Sequence, residues 1–82
     1  MEKKLYQLLH LTLRLNETET YHSQFDYSGM HKLINVIVYY KGDFKNQIYN
    51  EYCYFDIQKD KASEMIKSLT KILLEVPAFE KP

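Results

Sequence analysis

The chain has 82 residues and a mass of 9.9 kDa, enough for one small domain with a modest core. Its 45% hydrophobic and 27% charged residues argue against disorder, and eleven basic side chains balance eleven acidic ones, which disfavours duplex nucleic acid or an anionic membrane as partner. One cysteine excludes an internal disulfide, and no apolar run approaches the ~20 residues of a membrane helix, so the expectation is a soluble domain of the cytoplasm without a signal peptide.

The first segment, EKKLYQLLHLTLRLNE, fits two periods. Leu9, Leu11, Leu13 and Leu15 alternate with polar residues as in a strand, but Leu5, Tyr6, Leu8 and Leu9 break that alternation upstream. At about 100° per residue, Leu5, Tyr6, Leu8, Leu9, Thr12, Leu13 and Leu15 share one broad arc, while Lys3, Gln7, His10, Arg14 and Glu17 oppose it and Leu11 lies at its border. Leucine also prefers helix to strand, so a helix is predicted over 2–16.

Strands follow. Over 20–27, Tyr21, Ser23, Phe25 and Tyr27 alternate with His22, Gln24 and Asp26, and Ser28-Gly29 predicts a turn in which glycine supplies a positive φ. Residues 32–41, KLINVIVYYK, form the strongest strand, rich in β-branched and aromatic residues, and Gly42-Asp43 breaks it. A third strand is predicted over 47–57. A last helix is predicted over 60–76, with Asp60 as N-cap and Glu64 in the first turn. Ala62, Met65, Ile66, Leu69, Ile72, Leu73 and Val76 give it one apolar stripe, and Pro77 ends it, leaving 77–82 as a tail. Helix, three strands and helix with short turns predict a two-layer α+β domain, an antiparallel meander covered on one face by both helices.

One sheet face is then left over. Ile34, Val36, Val38, Cys53, Phe55 and Ile57 suit the covered side. The other side carries Leu33, Ile37, Tyr39, Ile48, Tyr52 and Tyr54, interrupted by Asn35, Asn50 and Asp56. A face open only to water would carry more Thr, Lys and Glu. Seven of the eight tyrosines fall between Tyr21 and Tyr54, and tyrosine is enriched at interfaces because its ring is apolar and its tip polar. Against this, tyrosine favours strands whatever its function, and cross-strand aromatic pairs stabilise exposed sheets by up to ~1 kcal/mol each.

Catalytic and metal patterns are sparse. His10, His22, His31 and Cys53 lack the spacing of a zinc site, and Cys53 falls on the core face, where a thiol is inert. Asp26, Asp43, Asp56 and Asp60 do not make a calcium loop, and Gly29 and Gly42 are too few for a phosphate-binding loop. Asn16-Glu17-Thr18 matches a glycosylation sequon by chance in a cytoplasmic domain. No cofactor, no metal and no enzymatic activity are expected. Exposed tyrosines can stack single-stranded bases, and Lys59, Lys61, Lys67 and Lys71 recur on the last helix, but the neutral charge does not suit that reading.

The ten lysines against one arginine, with two each of Ala, Gly and Pro, point to A/T-rich codons, as in a low-GC bacterium or its phages. The segment Phe25 to Phe44, FDYSGMHKLINVIVYYKGDF, resembles a stretch in small uncharacterised phage and prophage proteins of low-GC Gram-positive bacteria. The resemblance lies in Phe25, Asp26, Tyr27, Ser28 and Gly29, followed loosely by Val36, Val38 and Tyr39; Met30-His31 stands where those proteins have His-Val. It implies a mobile-element origin and no established activity. The expected function is a non-enzymatic interaction module that binds and inhibits a host defence or replication protein. Its surface would be Leu33, Ile37, Tyr39, Ile48, Tyr52 and Tyr54, with Asp26, Tyr27, Ser28 and Gly29 at the rim. A single-strand or nucleotide binder using the same tyrosines, and a homodimer closed through this face, are the alternatives.

Overall fold

Of the two periods open to the first segment, the helical one prevails: α1 spans Glu2–Glu17 in the computed structural model, which describes residues 2–76. It is followed by β1 (Tyr21–Ser28), β2 (Leu33–Tyr40), β3 (Asp43–Tyr54) and α2 (Lys59–Leu74). The strands form an antiparallel meander in the order β1-β2-β3. Both helices lie on one face, giving the two-layer α+β fold that the residue pattern predicts.

The core lies between helices and sheet. Leu8 and Leu15 from α1, Ile34, Val36 and Val38 from β2, Cys53 from β3, and Ala62, Met65 and Leu69 from α2 are all buried. The buried arc of α1 is narrower than its leucines suggest. It runs through Leu5, Leu8, Leu11, Thr12 and Leu15, leaving Tyr6 and Leu13 exposed. Helix–helix and helix–sheet contact together set that arc, and simple apolarity does not.

A polar knot fixes the far end of α1 to β1. Thr18 Oγ1 donates to the Leu15 carbonyl (2.7 Å) and accepts from the Tyr21 N–H (3.1 Å). Ser23 Oγ donates to the Thr12 carbonyl (2.6 Å). The Asn16 amide accepts from the Ser23 N–H (2.7 Å) and donates to the Ser23 carbonyl (3.0 Å), as a neighbouring strand would. The Lys41 ammonium donates to the carbonyls of Asn16 and Thr18, where the negative end of the helix dipole favours a cation. At its other end α1 leans toward α2, with Lys4 Nζ donating to the Lys59 carbonyl (3.4 Å). The two helices therefore begin at the same end of the sheet.

Four expectations need correction. The third strand runs over Asp43–Tyr54, not 47–57: it starts directly after the Gly42 turn, with Asp43 pairing with Tyr40. It ends at Tyr54 because Gln58 folds back on it, its side-chain carbonyl accepting from the Tyr54 N–H (2.9 Å) and its N–H donating to the Tyr54 carbonyl (2.8 Å). Phe55 still packs in the core, but Ile57, assigned there by alternation, sits in the turn at 81% exposed. Gln58 precedes α2 without a side-chain cap, so Asp60 is a first-turn residue beside the helix dipole and Glu64 lies beyond that turn. The β1–β2 reversal takes four residues, and its positive φ (53°) falls on Lys32 and not on Gly29. Glu75 and Val76 lie past the end of α2, and Pro77 with the predicted tail lies outside the described residues.

Candidate functional site: the open face of the sheet

Pairing Ser28 with Leu33, Asp26 with Asn35, Gln24 with Ile37 and His22 with Tyr39 puts these residues on the face that the helices leave uncovered. Across β2 and β3, Leu33 pairs with Tyr54, Asn35 with Tyr52 and Ile37 with Asn50, so both tyrosines join that face. Beyond Val38 the register slips. Tyr39 pairs with Gln47 and Val38 with Tyr49, leaving Ile48 as an extra residue; Tyr40 pairs with Asp43, so Phe44 to Asn46 bulge out.

The face is divided by a polar bridge. Asn35 Nδ2 donates to Asn50 Oδ1 (3.2 Å) and to the Glu51 carbonyl (3.0 Å). On one side, Tyr52 and Tyr54 meet edge to face with centroids 6.0 Å apart, and the Lys61 ammonium lies 4.3 Å above the Tyr52 ring. That ammonium is also 3.7 Å from Glu51 Oε2. On the other side, Phe44 packs edge-on against His22 (5.2 Å) and Tyr39 (5.7 Å). Phe44 is the member of this face that the sequence does not announce, because it follows a turn signal and reaches the sheet only through the bulge.

The expected residues are only partly brought together. Leu33, Ile37, Tyr39, Ile48, Tyr52 and Tyr54 do share the open face, with Ile48, Tyr52 and Tyr54 exposed and the β2 residues half-buried between neighbours. Asp26, Tyr27, Ser28, Leu33 and Asn35 border a shallow depression of about 160 Å³ at its corner. Tyr27 borders it from the other side of the strand: it pairs with the buried Ile34, and its ring stacks on Phe55 (5.8 Å, 19° between planes). Gly29 is an exposed turn residue under the Tyr27 ring. Asp56 lies in the turn after β3 and not on the face.

The chemistry available there is that of contact. Among the described residues no three His, Cys, Asp or Glu converge as a metal group. The Cys53 thiol is buried, donates to the Gln58 carbonyl (3.2 Å), and is pushed above its ordinary pKa mainly by burial. On the covered side, burial and then the neighbouring Glu51 and Cys53 push the Tyr49 phenol up to about 12. The paired outward positions from His22 to Tyr54 include no Lys or Arg; Lys45 is exposed in the bulge beside Phe44, and Lys61 reaches the rim. No helix among the described residues is long and apolar enough to cross a membrane.

No protein-family model, curated protein or solved structure matches the chain, so the Phe25–Phe44 resemblance gains no second support.

Proposed function

We propose that this chain is a non-enzymatic protein-binding module whose recognition surface is the open face of the sheet. The supporting observation is that this face presents Leu33, Ile37, Tyr39, Phe44, Ile48, Tyr52 and Tyr54 where a merely solvated sheet would present hydrophilic residues. The aromatic pairs hold their rings in place before binding, which lowers the ordering cost of an interface. A stacking site for single-stranded bases is the less favoured alternative, because no paired outward position is a cation and only Lys45 in the bulge and Lys61 at the rim lie near to meet phosphates. The narrower form, a mobile-element product that inhibits a bacterial host's defence or replication protein in the cytoplasm, rests on the Phe25–Phe44 resemblance and the A/T-rich codon pattern.

The test compares wild type with Tyr39→Ser/Tyr52→Ser, using light scattering for self-association and quantitative capture from bacterial lysate for other proteins. Neither side chain belongs to the buried core, so the variant should stay folded and lose association. Identical association by both proteins would refute the site. Association through an apolar face should change little with salt, whereas nucleic-acid binding should weaken steeply.

A further inference from the structure

The two edges of the sheet are defended unequally. The β3 edge is interrupted by bulges at Phe44–Asn46 and Ile48, and Lys61 lies across Tyr52 beside it. The β1 edge has no bulge. The Lys41 N–H donates to the Thr20 carbonyl (2.9 Å), which sets the alternation: even-numbered residues of β1 bond to β2, and the N–H and C=O of Tyr21, Ser23, Phe25 and Tyr27 face outward. Thr18 covers the Tyr21 N–H and Asn16 covers both groups of Ser23. No described residue covers Phe25 or Tyr27. Between them and α1 lies a groove of about 310 Å³ lined by Leu5, Tyr6, Leu9, Phe25 and Tyr27.

We propose that this corner takes an extended segment of a partner protein as a fourth strand beside β1, with an apolar–basic–apolar core. The outward N–H and C=O groups of Phe25 and Tyr27 demand a strand-like backbone and offer it up to about four hydrogen bonds. In antiparallel pairing, the segment's residues opposite Phe25 and Tyr27 point to the helix side, into an apolar groove with no charged lining. The residue between them points to the other face, opposite Asp26, whose Oδ2 is held by Gln24 Nε2 (3.0 Å). A carboxylate there selects Lys or Arg. A second copy of this chain fits poorly: the register that uses Phe25 and Tyr27 of both copies sets Asp26 against Asp26 of the other copy. A slip toward Ser23 meets the Asn16 plug. This edge meets the open face only at its rim, through Asp26 and Tyr27, and uses none of Tyr39, Tyr52 and Tyr54.

The test uses the whole protein and short fluorescein-labelled peptides with Val-Lys-Val, Val-Glu-Val and N-methylated Val-Lys-Val cores. Anisotropy should show the lysine peptide binding about tenfold more tightly than the glutamate one, with N-methylation abolishing binding. Asp26→Lys should reverse that preference, Tyr6→Ser should weaken both, and Tyr39→Ser/Tyr52→Ser should leave both unchanged. The amide resonances of Phe25 and Tyr27 should shift on binding. Equal binding of the three peptides, or a preference that Asp26→Lys does not alter, would overturn the proposal. So would a wild-type dimer that Asp26→Asn tightens, since the edge would then belong to a second copy.

Discussion

Gly29 and Gly42 look alike in the sequence, each marking a reversal, but only Gly42 is tied to its position by the backbone. Its φ is +83°, with open space where a Cβ would stand, so Gly42→Ala costs about 1 kcal/mol through backbone strain alone. Gly29 adopts no such conformation, and an added Cβ there meets the Tyr27 ring at an ordinary 3.5 Å. Gly29→Ala is therefore neutral or slightly stabilising, by about 0.5 kcal/mol, through the unfolded chain. Urea denaturation of the two variants separates these outcomes. Tyr49 makes a second prediction. Its folded pKa of about 12 lies above the ordinary phenol value of 10.0, so the folded state holds that proton longer than the unfolded state. Its contribution is complete below about pH 10 and is lost as pH rises toward 12. Melting temperatures over that range should fall less steeply for Tyr49→Phe than for wild type. Neither feature was legible in the residues alone: glycine identity does not report φ, and the alternation of Tyr49 with Asn50 does not report how deeply its strand face is covered.

At the scale of the element, α2 shows how far a pattern reaches. Its three/four spacing is unambiguous, and Ala62, Met65 and Leu69 are buried as that stripe requires. Its start was not readable, because Asp60 offers a good cap while Gln58 is instead recruited to close the end of β3. The same event truncates the strand and throws Ile57 outward. Leu69→Ala should therefore lose about 3 kcal/mol by emptying a packed position, whereas Ile57→Ser should change stability by less than about 0.5 kcal/mol. Equal losses in chemical denaturation would mean that the strand continues to 57 as its alternation suggests. The strand β1 was readable because aromatic residues alternate with polar ones through most of it, and β2 because it is dense in β-branched and aromatic residues. In β3 the bulges insert four residues that obey no period, which hid Phe44 from the open face.

For the whole molecule, the antiparallel meander and its two-helix cover follow from local pattern and short connections. Asn16 closing the edge at Ser23 does not, because it joins a helix end to a strand seven residues later through side-chain geometry. The open face was legible as composition, since alternation assigns each strand residue to a side once one side is known to be covered. The groove at Phe25 and Tyr27 was not, because its lining joins α1 to β1 across residues twenty apart in the chain, through packing that no local pattern reports. One buried atom gives this architecture a use in the laboratory. Cys53 lies in the core between β3 and the start of α2, with no exposed surface, and burial disfavours its thiolate. An aromatic disulfide reagent can reach that sulfur only when the layers part, so modification should follow the rate of global opening. Labelling should be slow and single-exponential in water and should accelerate with denaturant in step with unfolding. Fast labelling in water, with a rate indifferent to denaturant, would reveal a local opening at the β3–α2 junction. The chain thus contains its own stopwatch for conformational breathing, read from a single sulfur without an engineered probe.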